Sequence, residues 1–171
     1  DALVRTTHLP LLVLHPGEEG NVPPEVLTFE NILVPLDGWE LAVAILEPAK
    51  VVASATDAQI TLAHVVSSTA VVGSRLFPLL PDDVRPAMKK AVAYLNQRAD
   101  ELREEGFAVD TRVVEHEIPA KAICWMARDA GADLIAIATH GYGGMKRAIL
   151  GSVADKVLRG SPLPLLVQRP G

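Results

Sequence analysis

Cysteine, aromatic residues and long apolar runs are all scarce in this chain of 171 residues. The single cysteine, Cys124, excludes a disulfide within the chain, and its apolar, helix-like surroundings favour core packing over redox chemistry. The apolar runs are short and interrupted by proline or charge, and no signal peptide is recognised, so we expect no membrane partner and a cytoplasmic location. A net charge of -5 without a basic patch argues against a nucleic-acid partner.

Apolar residues make up 49% of the chain, which is enough for one compact domain of about 140 residues. From Asn31 onwards, short apolar runs alternate with segments of helical periodicity. This alternation predicts a parallel sheet with helices on both faces, and such sheets bind ligands beyond the carboxyl ends of their strands. The predicted strands are 32–36, 60–66, 108–114, 134–138 and 163–167; the predicted helices are 39–54, 82–105, 119–131 and 152–159; residues 67–81 are expected to be irregular.

The first 17 residues repeat the last 17. Residues 1–17 align with 155–171 without a gap, and nine positions are identical, including Leu-Pro-Leu-Leu-Val and Pro-Gly. The repeated part is a helix end plus a final strand, so we interpret 1–17 as the tail of a preceding, similar domain. Residues 18–28, polar and rich in Pro and Gly, then form a linker, and 29–171 form the main domain. The alternative is an ordinary N-terminal strand of one domain.

A phosphate site is indicated where the predicted strand 134–138 ends. Ala138-Thr139-His140-Gly141 is followed, nine residues later, by Gly151-Ser152 at the start of the next helix. Glycines let the backbone approach an anion, and free N–H groups at a helix start can donate to it together with the Ser152 hydroxyl. Two other strands end at the same edge, near Asp37 and Val65. Because the Asp37 carboxylate can accept hydrogen bonds from a base or ribose, this edge predicts a mononucleotide site.

These segments resemble the universal stress protein family, over residues 30–169. The resemblance rests on six motifs in family order: Val34-Pro35-Leu36-Asp37-Gly38, Leu62-Ala63-His64-Val65, Gly131-Ala132-Asp133-Leu134-Ile135, Thr139-His140-Gly141, Leu150-Gly151-Ser152-Val153 and Pro164-Leu165-Leu166-Val167. It implies a three-layer αβα sandwich, a Rossmann-like fold of the adenine nucleotide alpha hydrolase type, with a five-stranded parallel sheet of order 3-2-1-4-5. It also implies binding of ATP or AMP and assembly as a dimer.

The predicted binding residues combine the strand ends with the family pattern. They are Pro35, Leu36, Asp37, Val65, Ala138, His140, Gly141, Gly144, Gly151, Ser152 and Val153. No residue spacing resembles a dedicated metal site, although Mg²⁺ can arrive with the phosphates of ATP. No catalytic residue is assigned, because His140 has neither a paired carboxylate nor a second histidine beside it in the sequence.

The chain departs from the family pattern at three positions. Ala138 replaces a glycine; its methyl group is tolerated if φ is negative there and costs about 1 kcal/mol if φ is positive. Tyr142 stands where many relatives carry Arg, a loss for which Lys146 and Arg147 can substitute. Trp39 replaces a small hydroxyl residue and either narrows the pocket or packs on the next helix.

Several alternatives stand beside the predicted function, a stress-response module whose nucleotide occupancy alters its conformation or partners. One is a slow ATPase, and another is a dimerisation domain that binds no nucleotide. At single residues, Asp37 could form an Asx turn, and Ser152 could cap its helix in a capping box with Asp155. His64 is more typical of a satisfied, partly buried histidine than of a ligand.

Assembly is expected at the last strand, Leu163 to Val167. It closes the sheet at an edge whose unpaired N–H and C=O groups favour a further strand. We expect Leu9 to Leu14 to supply that strand, within one chain or between two chains, as in a tandem pseudo-dimer or a homodimer. Deletion of residues 1–17 is therefore expected to change the oligomeric state.

Overall fold

A computed structural model describes residues 9–14, 27–72, 75–78, 81–139 and 151–169. Its strands are β1 (Leu11–Val13), β2 (Asn31–Pro35), β3 (Gln59–Ser67), β4 (Thr69–Val72), β5 (Arg75–Pro78), β6 (Val109–His116), β7 (Leu134–Ala138) and β8 (Leu165–Gln168). Its helices are α1 (Glu40–Val43), α2 (Leu46–Thr56), α3 (Pro81–Glu104), α4 (Pro119–Asp129) and α5 (Ser152–Gly160).

The main sheet has six strands in the order β1-β8-β7-β2-β3-β6. Its five parallel strands, numbered among themselves along the chain, follow the order 3-2-1-4-5. The sixth strand, β1, pairs antiparallel with β8. The predicted count of five strands is therefore wrong, because the segment expected to join the edge is itself part of the sheet within this chain.

Two apolar clusters, one on each face of the sheet, form the core. Alternate residues of β2 and β3, such as Ile32 and Ile60, face α2 and the C-terminal half of α3. Leu33 and Ala63 point the opposite way and pack with α4 and α5. Because strands covered on both faces must be apolar throughout, β7 is buried at all five positions.

The predicted helix 39–54 is in fact two helices, α1 and α2. Pro48 explains the break, because a proline lacks the N–H that would bond to the carbonyl group of Ala44 four residues earlier, and its ring clashes with that group. Residues 67–81, predicted to be irregular, contain the antiparallel pair β4–β5. The prolines that argued against strands lie where they are tolerated: Pro78 ends β5 and Pro81 begins α3.

None of the helices in the described part of the chain combines the length and the apolar character needed to cross a membrane.

Candidate functional site

The chain turns sharply where β2 ends. The N–H of Leu36 donates to the carbonyl oxygen of Ala63 at 2.8 Å, which extends the β2–β3 ladder by one residue. Asp37 Oδ1 then accepts the N–H of Trp39 at 3.0 Å, and Gly38 has a φ of +87°, which favours glycine. The predicted alternative of an Asx turn at Asp37 is therefore present. It uses one carboxylate oxygen and holds Asp37 exposed at the carboxyl edge of the sheet.

Thr139 ties together the two ends of the segment between β7 and α5. Its N–H donates to the carbonyl oxygen of Gln168 at 2.9 Å, and its own carbonyl oxygen accepts the N–H of Gly151 at 2.6 Å. Thr139 is only 2% exposed, so these bonds lie in the interior. The N–H of Gly151 is therefore already used within the protein and is not one of the donors available to an anion.

The remaining donors belong to the first turn of α5. Gly151 is the N-cap, and the first intrahelical bond runs from the N–H of Asp155 to the carbonyl oxygen of Gly151 at 2.9 Å. The N–H groups of Ser152, Val153 and Ala154 therefore have no acceptor within the helix. These donors and the positive end of the helix dipole make the start of α5 suitable for an anion.

The predicted capping box at Ser152 is wrong. Ser152 is the first residue inside α5, and the N-cap position belongs to Gly151, which has no side chain that could cap the helix. Asp155 instead pairs with Arg159 one turn later, with 3.0 Å between Asp155 Oδ2 and Arg159 Nε. The Ser152 hydroxyl is thus not used as a helix cap.

A cavity of about 260 Å³ lies between these elements, at the carboxyl ends of β2, β3 and β7. Eight of the predicted binding residues line it: Pro35, Leu36, Asp37, Val65, Ala138, Gly151, Ser152 and Val153. The other three, His140, Gly141 and Gly144, lie outside the described residues, as do Tyr142, Lys146 and Arg147. Every predicted binding residue that the structure describes therefore lines one cavity.

Six further residues line the cavity and were not predicted: Ala42, Pro119, Ile123, Ile137, Thr139 and Ala154. Pro119 and Ile123 lie one turn apart at the start of α4 and close the side of the cavity beyond Val65. The amphipathic pattern of α4 marks Ile123 as buried but does not say that it faces a ligand. Thr139 could have been predicted, since it lies between Ala138 and His140, which are both predicted binding residues.

The departures at Ala138 and Trp39 have little effect on the described part of the cavity. Among the described residues, Asp57 is the only one other than glycine with a positive φ, so Ala138 meets the condition under which its methyl group is tolerated. Its side chain is 8% exposed and packs with Leu36 and Ala42. Trp39 is 49% exposed and is not a lining residue, so it does not narrow the cavity as described.

The chemistry of this lining suits binding better than catalysis. Asp37 is the only titratable side chain among the described lining residues, and most of the others are apolar. A reaction that uses both a general acid and a general base requires two titratable groups, and the described lining supplies one. Nor does the described part of the chain bring together three His, Cys, Asp or Glu side chains in a way that could hold a metal ion.

His64 lies on the opposite face of the sheet from the lining residue Val65. Its ring packs edge-on against Tyr94, with 6.3 Å between ring centroids, and a Cβ built on Gly38 would be 3.9 Å from its Cε1 atom. Its Nδ1 atom is buried without a hydrogen-bond partner, so the prediction of a satisfied histidine is wrong for that atom. Burial lowers the pKa of His64, while the nearby Asp37 carboxylate opposes that change.

Comparison with known proteins identifies the family. The chain is 29% identical over 148 residues to the universal stress protein YxiE of Bacillus subtilis, a match that covers 82% of this chain and 99% of the relative. The solved structure of protein MJ0577 is 25% identical with a TM-score of 0.68, over 85% of this chain and 99% of that one. A universal stress protein solved in complex with cAMP shares the fold, with 21% identity and a TM-score of 0.62 over 84% of this chain and 98% of that one. Residues 28–169 match the model of the universal stress protein family, and the chain belongs to that family.

Proposed function

We propose that this domain binds an adenine nucleotide, ATP or AMP, in the cavity at the carboxyl edge of its sheet, and that occupancy alters its conformation or partners in the cytoplasm. The observation that carries the proposal is the composition of one cavity. Apolar walls, the Asp37 carboxylate and the N–H groups of the first turn of α5 that have no acceptor within the helix all contribute to it. A nucleotide needs all three, because it combines a flat base, a hydroxylated sugar and an anionic phosphate.

The position of these groups suggests how the ligand is oriented. The phosphates belong at the start of α5, where the N–H groups of Ser152 and Val153 and the helix dipole favour negative charge. The Asp37 carboxylate would repel a phosphate, so it belongs to the ribose or base, whose hydroxyl or amino groups can donate to it. Val65 and Ile123 then provide an apolar wall for the base. Mg²⁺ would enter with the phosphates of ATP rather than through ligands of its own.

Two further observations support an adenine nucleotide. One relative of the same fold was solved with cAMP, which contains adenine, ribose and phosphate. In addition, Ala138 has a negative φ, so the missing family glycine does not strain the end of β7. Since the proposed orientation assigns Asp37, the one titratable side chain of the described lining, to the ribose or base, no described lining residue serves as a base beside the phosphates, and binding without rapid turnover is the function we favour.

Isothermal titration of ATP and of AMP, each with Mg²⁺, tests the proposal. The key variant is Gly151→Val, which adds a side chain at the cavity wall. Gly151 has a φ of -55° and a ψ of 144°, which valine readily adopts, so the fold should be retained. We expect the affinity to fall at least about tenfold, a loss of about 1.4 kcal/mol.

Gly160→Val is the matched control. Gly160 ends α5 away from the cavity, and a Cβ added there has no neighbour within 4 Å. This variant should bind as the unaltered chain does. If neither nucleotide binds to the unaltered chain, or if both variants bind equally well, the cavity is not a nucleotide site and the domain acts through assembly alone.

The second part of the proposal is assembly with a similar domain through the edge at β8, as a tandem pseudo-dimer or as a homodimer. Its support is the antiparallel pairing of β1 with β8, together with the sequence repeat of residues 1–17. In the tandem case, 1–17 are the tail of the preceding domain and 18–28 are the linker. The gene would then encode, directly before Asp1, residues that resemble those directly before Asp155.

A further inference from the structure

His64 lies behind the turn that carries Asp37. Val65, the next residue of β3, lines the cavity, so the His64 side chain points to the opposite face of the sheet, where it packs against α3. A Cβ built on Gly38 would lie 3.9 Å from His64 Cε1, so the ring is close to the turn itself. The turn therefore has the cavity on one side and the His64 ring on the other.

The surroundings of His64 contain charges, but none is paired with the ring. From α3, Tyr94 packs edge-on against it, and Arg98 lies over the far ring, 5.7 Å from the Tyr94 centroid. From α1, Glu40 is held by Arg98 at 3.4 Å. The β6 residue opposite His64 is Val113, which is uncharged. Nδ1 of His64 is buried without a hydrogen-bond partner, so no described side chain fixes the protonation state of the ring.

Two opposing influences determine the charge of His64. Burial disfavours the imidazolium and lowers the pKa of His64, whereas the Asp37 carboxylate and the backbone of Leu36 favour the imidazolium. Burial raises the pKa of Tyr94, which therefore stays neutral, and Arg98 stays charged. Of the three side chains in this cluster, His64 is thus the one whose charge changes between about pH 5 and 8.

A nucleotide in the cavity would shift this balance towards the imidazolium. Its phosphates bring negative charge to the site. Its sugar or base also excludes water from Asp37, so the field of that carboxylate acts on His64 with less screening. Because binding that favours the protonated ring is in turn favoured by it, the nucleotide should bind more tightly when His64 is charged.

We propose that His64 is a proton-sensitive positioning residue of the nucleotide site, which acts through Asp37 from the opposite face of the sheet and makes binding tighter in acidic solution. This inference rests on the proposed nucleotide site. The interaction between His64 and Asp37 that carries it, however, can be measured without a ligand.

NMR titration of the His64 Cε1 proton measures that interaction. His64→Gln identifies the resonance among the five histidines of the chain. Asp37→Asn removes the carboxylate charge but retains a side chain that can form the same Asx turn, so the pKa of His64 should fall in this variant. An unchanged pKa would overturn the inference, because His64 would then not sense Asp37.

Titration calorimetry of ATP with Mg²⁺, at about pH 8 and about pH 5, measures the effect on binding. The phosphates of ATP titrate in the same range, so the quantity compared is the Kd of His64→Gln divided by that of the unaltered chain, in which the titration of the ligand cancels. This ratio should be about threefold larger at the lower pH, the effect of a partly screened charge.

His116→Gln is the matched control. His116 is exposed on the neighbouring strand, where water screens its charge, and its Nδ1 accepts the N–H of Ile118 at 2.8 Å. Its Kd ratio to the unaltered chain should be the same at both pH values.

A Kd ratio for His64→Gln that is constant, or that is smaller at the lower pH, overturns the inference and leaves the nucleotide site intact. Absence of ATP binding to the unaltered chain at both pH values would instead contradict the nucleotide site, and this inference with it. Saturation with ATP should also raise the pKa of His64 in the unaltered chain. That measurement decides the question if circular dichroism shows that His64→Gln is unfolded.

Discussion

Two openings in the surface of this domain are similar in size but differ in how their charges are arranged. The first is the cavity of about 260 Å³ beside Asp37 and the start of α5. The second is a groove of about 340 Å³ between α1, α2 and α3. By charge alone, the groove resembles a binding site more closely, since four glutamates, a lysine and an arginine line it.

Both cations in the groove form ion pairs with its glutamates. Lys50 Nζ lies 2.6 Å from Glu47 and 2.8 Å from Glu105, so it joins α2 to the residue that follows α3. These hydrogen bonds raise the pKa of Lys50. Arg98 connects α3 to α1 in the same way, at 2.8 Å from Glu101 and 3.4 Å from Glu40. These ion pairs hold the helices together and engage all four glutamates, and the excess of two carboxylates disfavours an anionic ligand in the groove.

The cavity has the opposite character. It contains a single titratable side chain, Asp37, among its described lining residues, and its other polar groups are mainly backbone N–H groups at the start of α5. Those donors have no acceptor within their helix. From this difference we expect that backbone donors without an acceptor in their own helix indicate a binding site better than a high density of charge does.

Of the changes that test this comparison, Ser152→Asp is expected to have the largest effect on ATP affinity. A carboxylate in the first turn of α5 interacts well with the helix dipole, so the free energy of unfolding should be unchanged or slightly higher. The same carboxylate repels a phosphate, so ATP affinity should fall about 100-fold or more, that is, by at least about 2.7 kcal/mol. Titration calorimetry and thermal unfolding measure the two effects.

Ser152→Ala is the control, because it removes only the hydroxyl and should cost about tenfold in affinity. If Ser152→Asp binds ATP as tightly as the unaltered chain, the phosphate does not lie at α5.

Arg98→Met tests the groove and should affect stability rather than binding. Arg98 lies 5.7 Å from the centre of the Tyr94 ring in addition to its two ion pairs, so its loss should lower the free energy of unfolding by about 1–2 kcal/mol. Denaturant unfolding measures this loss. Arg85→Met, which removes a fully exposed pair on the same helix, should have no measurable effect. A tenfold change in ATP affinity in Arg98→Met would show that the groove is not purely structural.

Ala138→Gly restores the family glycine and should have a smaller effect. Because φ at position 138 is already negative, glycine offers no relief of strain, and ATP affinity should change less than about twofold. Stability should fall by about 0.5–1 kcal/mol, since glycine within a strand is more flexible in the unfolded chain. A tenfold gain in affinity would instead indicate that the alanine methyl group obstructs the ligand.

The smallest effect concerns His64, which lies near Asp37 of the cavity and packs against Tyr94, the ring that contacts Arg98 of the groove. Its pKa is lowered in the folded protein by burial, so between that value and about 6.5 the unfolded chain binds more protons. The contribution of His64 to stability is therefore complete above about pH 6.5 and is lost as the pH falls below it. His64→Gln should flatten the decline in unfolding free energy between about pH 6.5 and 5.

Unfolding curves at several pH values test this, and the two proteins should run parallel above about pH 7.5. Equal slopes below pH 6.5 would show that His64 does not contribute.

The sequence predicts the parallel part of the fold well because each element there has a strong local signal. Continuous apolar runs such as β7 and the periodicity of α3 need no tertiary information. The break between α1 and α2 was missed although Pro48 was a sufficient signal for it. The β4–β5 hairpin was missed because Pro78 and Pro81 indicate, in the sequence, that a strand is interrupted. In the structure, Pro78 ends a strand and Pro81 begins a helix.

The candidate site was predictable only in part, for a physical reason. Asp37, Val65 and Ser152 lie at strand ends or at a helix start, and the topology brings such positions to one edge. Ile123 and Ala42 reach the cavity through helix packing, which depends on the angle and depth of α4 and α1 rather than on any local pattern. The bond from the N–H of Gly151 to Thr139 was likewise invisible, because it joins residues that are twelve positions apart.

The antiparallel direction of β1 has a consequence for any domain joined at that edge. Strands of such a domain would run opposite to β2, β3 and β7, so its carboxyl edge would face the other end of the shared sheet. If both domains bound a nucleotide as proposed, the two nucleotides would lie at opposite edges of the shared sheet. Any coupling between the two binding sites would have to pass through the β1–β8 pair, in which Leu12 lies opposite Leu166.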